Sequence, residues 1–348
     1  MPSAALLLAL LSLQAPAAAP TETPAPDDAE CLACHAEPLE LTFADGTVRT
    51  LAVDPAAPAR SVHGGKVRCV ECHREAREIP HPERPFASAR QFTLAASEGC
   101  RQCHFSDYRR TLDSVHADAV ARGDRTAPVC VDCHGSHDVQ PPGQPRTRVA
   151  ETCARCHAGV ARTYAASVHG ADLARQIADV PTCTDCHRSH DIGGPTQAGW
   201  RSTTPAICGR CHGDEERMAT YGLSTAVLET YVEDFHGKTA SFRRAAGATG
   251  AEPFVAVCSD CHGTHDVVRA DADASPVLRA NLAKTCRQCH AGAGARFPDS
   301  WLSHYEPSLA HAPGVYAVKL AYWVLIPFVI GGLILQILLH LWRVAVNR

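Results

Sequence analysis

The chain has 348 residues, with 18 Cys, 20 His, 29 Arg and 4 Lys, and a formal net charge of −4 with His neutral. That balance excludes a strongly basic nucleic-acid binder. Aromatic residues are only 6% and Gly and Pro number 24 each, so side chains alone make a poor core and something else must fill the interior.

The first element is apolar. AALLLALLSL (4–13) followed by QAPAAAP reads as a secretory h-region with an Ala-rich cleavage site near Ala17–Ala19, although the preceding MPS carries no Lys or Arg. Residues 1–19 are taken as this signal and 20–30 as a linker.

From residue 31 onward every cysteine belongs to a CxxC pair followed at once by His. The pairs are Cys31 and Cys34, Cys69 and Cys72, Cys100 and Cys103, Cys130 and Cys133, Cys153 and Cys156, Cys183 and Cys186, Cys208 and Cys211, Cys258 and Cys261, and Cys286 and Cys289. The adjacent histidines are His35, His73, His104, His134, His157, His187, His212, His262 and His290. CxxCH is the attachment signature of c-type haem. On a helical turn, positions three apart share a face, so both thiols reach the vinyl groups of one porphyrin and the next residue ligates its iron. Zinc sites pair one CxxC with another, and disulfides need no adjacent His. Nine motifs with no cysteine left over point to nine haems, attached on the exported side of the membrane.

The motifs alternate between two kinds. The first reads ECLACH, GCRQCH, TCARCH, ICGRCH and TCRQCH; the second reads RCVECH, VCVDCH, TCTDCH and VCSDCH. Between a first-kind motif and the next second-kind motif stands a tagged histidine: His63 and His169 in SVHG, His116 in SVHA, His236 in DFHG. The steps from His63 to His116 and from His116 to His169 are both 53 residues. In three copies another histidine follows the second-kind motif, as His137, His190 and His265; the first copy departs, and its candidate is His81. His304, in LSHYE, follows the last motif. The repeats are 31–81, 100–137, 153–190 and 208–265, with a half repeat 286–304. His63, His81, His116, His137, His169, His190, His236, His265 and His304 thus supply one distal ligand per iron, leaving His311 and His340 over.

Three local expectations follow. LELTFADGTVRTLAV (39–53) alternates about Asp45–Gly46 as a β-hairpin. TCARCHAGVARTYAASVHG (152–170) reads as one helix, and a tagged histidine 12 residues, about 18 Å, along such a helix cannot return to the haem at its start. Nor does His137, three residues after His134, easily pass to the opposite face of the same ring, so distal ligands come from other attachment sites. TYGLSTAVLETYVEDFHG (220–237) looks like added helix.

The chain closes with LAYWVLIPFVIGGLILQILLHLW (320–342), 23 residues without Asp, Glu, Lys or Arg. At 1.5 Å per residue it is about 34 Å long, enough for a bilayer core. Tyr322, Trp323 and Trp342 suit the two interfaces, and Arg343 and Arg348 place the C-terminus on the cytoplasmic side. Residues 31–311 are therefore taken as a nine-haem domain held outside the inner membrane, on the periplasmic side, by an anchor and tail at 312–348. His340 sits in that helix beside Arg343 and reads as an interfacial side chain, with ligation of a partner's haem as the alternative.

The alternating motifs, the SVHG tags and the CxDCHGxHD stretches resemble the repeat multihaem c-type cytochromes of bacterial respiration. These include cytochrome c3-like proteins, pentahaem donors to nitrite reductase and decahaem conduits. The likeness covers roughly 31–305. It implies a multihaem cytochrome c fold, mostly helical and irregular with little β structure, its core filled by stacked haems. It also implies bis-His iron, low potentials and electron transfer, with a quinone-reactive b-type cytochrome subunit and other periplasmic redox proteins as partners. The runner-up reading is a reductase of a small nitrogen or sulfur oxyanion with one open haem. Such enzymes often replace the proximal His by Lys, and no CxxCK occurs here. A scaffold with haem as filler is a third reading, and nothing in the residues requires it.

Overall fold

A CxxCH segment can end a helix or begin one, and the two kinds of motif divide along that line. The computed structural model of the chain describes residues 25–82, 85–245, 255–301 and 304–347, so the signal peptide expected at 1–19 lies outside the described residues. First-kind motifs close the helices Asp28–His35, Thr147–Ala154, Thr204–His212 and Arg279–Arg287, and one forms the 3₁₀ turn Cys100–Gln102 just after the helix Ala89–Ser97. Second-kind motifs open the short helices Cys69–Cys72, Cys130–His134, Cys183–His187 and Cys258–His262. Where a helix stops inside a motif, the turn itself persists. His73, His157 and His290 each donate their N–H to the carbonyl of the first cysteine, at 2.9 Å.

The described residues divide into two bodies, those up to Cys103 together with Gly135–Gln140, and His104–His134 together with those from Pro141 onward. The first holds the expected hairpin, with Glu40–Thr42 antiparallel to Val48–Thr50 and Leu41 opposite Arg49. Its turn needs φ +80° at Gly46, which glycine adopts without a Cβ clash. Buried Phe43 packs on Phe92, Phe92 on the edge of Phe86, and the Arg49 guanidinium lies 5.5 Å from the Phe92 ring. This small cluster holds the hairpin so that Val53 N–H reaches the His35 carbonyl (2.6 Å) and the Leu51 carbonyl meets His35 Nδ1 (3.0 Å).

The second body corrects two of the expected helices. Residues 152–170 do not form one helix. The backbone leaves the helical region at His157 (ψ 43°) and again at Ser167 (ψ 166°), giving Thr147–Ala154, Ala158–Ala166 and Val168–Ala174. Ser167 is the reason for the second break. It is an N-cap, with Oγ accepting from Gly170 N–H (3.1 Å), and this competes with helix continuation. Ser114 caps Val115–Ala121 in the same way, accepting from His116 N–H (3.1 Å). Likewise 220–237 is broken at Asp234, which caps Phe235–Ala245 by accepting from Gly237 N–H (2.8 Å), and only Val227–Glu233 and that second helix are helical beyond Thr220. The Ser of SVH and the Asp of DFH thus do one job, and the tagged histidine always sits in the first turn after it.

Buried apolar side chains among the described residues are few: Phe43, Ala57, Val70, Ala127, Leu173, Val180, Met218, Tyr231, Val257, Leu282 and Ala293. A chain this long normally buries far more, so the protein's own side chains do not form its core. At the far end the helix Pro313–Val346 leaves its apolar residues exposed, Trp323 and Phe328 by 75% and 77%, and it is long and apolar enough to cross a membrane.

The corners between helices test this account. A Cβ on Gly170 would overlap the Tyr164 carbonyl oxygen, whereas one on Gly159 meets nothing. Gly170→Ala is expected to destabilise the holoprotein by about 1–3 kcal/mol. Gly159→Ala is expected to be neutral or stabilising by up to about 1 kcal/mol. Denaturant titration followed at the haem band checks both.

Candidate functional site

The acidic residue inside each second-kind motif is a helix cap. Glu71 accepts from Arg68 N–H (2.7 Å), Asp132 from Val129 (2.7 Å), Asp185 from Thr182 (2.6 Å) and Asp260 from Val257 (2.6 Å). Each carboxylate satisfies an orphan amide and faces the positive end of the turn carrying both thiols. Arginines outside the motif lock two of these caps. Arg146 bonds Asp185 (3.0 Å) and the Val180 carbonyl (2.7 Å), and Arg201 bonds Asp260; each arginine stands seven residues before a first-kind motif. At the other end of the turn, Arg155 donates to the Cys133 carbonyl (3.3 Å) and Arg210 to the Asp185 carbonyl. A first-kind motif therefore braces the second-kind motif of the repeat before it. The sequence reading missed these residues; the invariant acid in CxDCH across three copies, and the arginines at fixed offsets, were the available signals.

The motif histidines do not stand alone. Eight of them face a histidine outside the motifs: His35 and His81 with ring centroids 6.2 Å apart, His73 and His137 (6.2 Å), His134 and His190 (6.1 Å), His157 and His116 (6.1 Å), His187 and His265 (6.0 Å), His212 and His169 (6.4 Å), His262 and His304 (6.2 Å), and His290 and His236 (6.3 Å). Direct ring stacking would bring them closer. An imidazole nitrogen binds a transition metal at about 2 Å, so two rings on opposite sides of one metal atom have centroids roughly 6 Å apart. The observed gap is that of one metal atom, and each pair has two thiols on the same turn as one partner, so the residues fit covalently held haem c. His63 and His104 are the remaining two candidates, and each has interactions of its own.

The pairs follow an order the sequence did not disclose. His137, His190 and His265 each face the second-kind motif of the preceding repeat, and His304 does the same from the half repeat. His116, His169 and His236 each face the first-kind motif of the following repeat. Each of these three tagged histidines thus faces another attachment turn, by way of a corner rather than a continuous helix. One backbone bond sets the register. Val62, Val115 and Val168, each just before a tagged histidine, donate to the carbonyls of Val139 (2.8 Å), Ile192 (3.0 Å) and Val267 (2.8 Å), each two residues after a distal histidine of the next repeat. His81 departs from this order and faces the first-kind motif of its own repeat.

Second partners orient the rings. The Leu51 and Gly193 carbonyls lie 3.0 and 2.8 Å from Nδ1 of His35 and His187, and a carbonyl can only accept, so those Nδ1 atoms carry the proton and Nε2 is left for a metal. Trp200 stacks on His187 at 5.3 Å, and Thr230 Oγ1 lies 3.2 Å from His304 Nδ1. Burial pushes His73, His116, His169, His212, His262, His265 and His304 below the usual histidine range, favouring the neutral form that binds metal. His236 goes the other way: hydrogen bonding to Asp234 raises it, against burial. Its Nδ1 lies 3.8 Å from Asp234 Oδ2.

None of the eighteen cysteines forms a disulfide, and within each body successive attachment turns lie against one another. Cys31 lies beside Cys69, Cys153 beside Cys183, and Cys208 beside Cys258. Those contacts raise Cys153 and Cys208 and lower Cys183 and Cys258. Cys72 neighbours Cys103, Cys133 neighbours Cys153, Cys186 neighbours Cys211, and Cys261 neighbours Cys286 and Cys289. The leftover histidines lie apart from the pairs, His311 stacked on Tyr305 (4.9 Å) and His340 within the terminal helix.

A mostly helical chain built on CxxCH turns, with paired imidazoles one metal atom apart, has the make-up of a multihaem c-type cytochrome. Residues 125–213, about a quarter of the chain, match the cytochrome c3 family, and this stretch contains the four motifs from Cys130 to His212. The match supports covalently bound haem c and multihaem electron transfer. No curated protein and no solved structure matches the chain.

Removing a cap tests the attachment turns. Asp260→Ala is expected to cost about 1–2 kcal/mol by orphaning Val257 N–H, and Asp260→Asn less, since its amide oxygen still accepts. Haem content per chain, by mass, is expected to stay unchanged in both.

Proposed function

We propose that residues 31–311 form a nine-haem, bis-His c-type cytochrome that passes electrons along its haems in sequence order. In this reading it works between a quinone-linked membrane partner, such as a b-type cytochrome subunit, and redox proteins of the periplasm. The observation that carries this reading is the set of eight imidazole pairs at 6.0–6.4 Å, each joining a CxxCH histidine to a histidine from elsewhere in the chain. His63 and His104 complete the ligand set. Bound haem supplies one-electron redox chemistry at a low potential. The protein's residues hold the pieces in place. The cysteines would fix each ring covalently, the attachment turns that lie together within each body would keep neighbouring rings close, and the second partners of His35 and His187 would set ring orientation. The exposed helix Pro313–Val346 supports an anchor in the inner membrane, with the haem domain on the periplasmic side.

Mass spectrometry of the exported protein is expected to show nine haem increments, and the oxidised protein a wholly low-spin ferric spectrum. Fewer increments would overturn the haem count. A high-spin signal in the isolated protein would favour the oxyanion-reductase alternative. His265→Ala is expected to convert one haem of nine to high spin, read by electron paramagnetic resonance, and to leave the haem count at nine.

A further inference from the structure

The seven paired distal histidines other than His81 are each held by contacts of their own segment. His116 and His169 stand in helix first turns capped by Ser114 and Ser167, with the preceding valines tied to Ile192 and Val267. His236 follows the Asp234 cap. His137 is exposed, yet its segment is tied through Val139 to Val62. Beside His190, Asp191 is gripped by Arg110 (3.0 Å) and Arg188 (3.2 Å). Asp266 folds the loop around His265 by accepting from Thr264 N–H (3.0 Å), and Thr230 and the edge of Trp301 hold His304.

His81 has none of this. It is exposed, belongs to no helix or strand, and lies between Pro80 and Pro82, neither of which has an N–H to donate. Among the described residues, 78–82 make no backbone or side-chain hydrogen bond. Across the pair, His35 is anchored in the helix Asp28–His35 and by the Leu51 carbonyl. A ligand ordered in advance has already lost its conformational freedom, whereas a loose one loses it on binding and returns it on leaving. Asymmetry within the pair therefore decides which bond breaks first.

We propose that the haem held by Cys31 and Cys34 is the exchangeable one, and that a small neutral π-acceptor molecule, such as carbon monoxide or nitric oxide, displaces His81 from its iron. The bond to His81 breaks, the bond to the incoming molecule forms, His35 stays, and no electron is transferred in the exchange. This inference rests on the nine-haem, bis-His reading. It adds that the haem at Cys31 and Cys34 is also a ligand-binding site.

The experiment is carbon monoxide titration of the dithionite-reduced holoprotein, followed in the Soret band. It is made on a sample whose nine haems and low-spin oxidised spectrum have first been measured, so that failure of the underlying reading is seen separately. The wild type is expected to take up carbon monoxide slowly at one haem in nine. Cys31→Ala/Cys34→Ala, with eight haems, is expected to take up none. His81→Ala is expected to bind it at least tenfold faster at one haem, with no second haem responding. The proposal fails if the wild type is inert while His81→Ala responds, which makes His81 a firm ligand. It also fails if neither responds, or if the response survives loss of the first haem. Should His81→Ala not mature, the wild type and the double cysteine variant still decide between these outcomes.

Discussion

In the bis-His reading proposed above, the structure depends on a division of labour in iron ligation. A CxxCH turn delivers one imidazole together with two thiols, and it cannot deliver the opposite one, because the chain cannot pass around the ring within a few residues. The second imidazole must come from distant sequence, so each metal position ties two segments together. In a chain with so few buried apolar residues, such ties would take the place of a hydrophobic core. The caps, corners and carbonyl contacts all serve to bring a second imidazole to roughly one metal atom's distance from the first.

What could be read in advance, and what could not, follows from that division. The attachment cysteines and their adjacent histidines were legible because covalent attachment demands a contiguous motif. The supply of spare histidines was legible as a count. Their assignment was not, since His116 faces His157 and His190 faces His134 through contacts between repeats, which local pattern does not encode. The break at Ser167 was missed because an Ala-rich helical run hides the cap, and yet the serine two residues before each of three tagged histidines was the clue. The equivalence of Asp234 with those serines emerges only once both are seen accepting from the first turn of a helix.

The brace between repeats has the same logic. Arg155 and Arg210 reach carbonyls of the previous second-kind turn, while Arg146 and Arg201, just before the third and fourth repeats, reach acids in the second-kind motif of the repeat that follows. Guanidinium groups suit this role because a single one can serve a carboxylate and a carbonyl together, as Arg146 does. The preponderance of Arg over Lys in the composition thus has a structural use in the attachment turns.

The one-repeat offset in the imidazole pairs means that the repeat visible in the sequence is not a self-contained module. A cut between the second and third repeats, near residue 145, separates His116 from His157 and His134 from His190, leaving widowed imidazoles on both fragments. Splicing out one full 53-residue period, by contrast, carries each broken pair onto its equivalent neighbour and restores the same pattern in a shorter protein. Length in this architecture is therefore quantised. The line can grow or shrink by whole periods in its middle, whereas the first repeat, where His81 faces its own repeat's motif, does not share that interchangeable pattern.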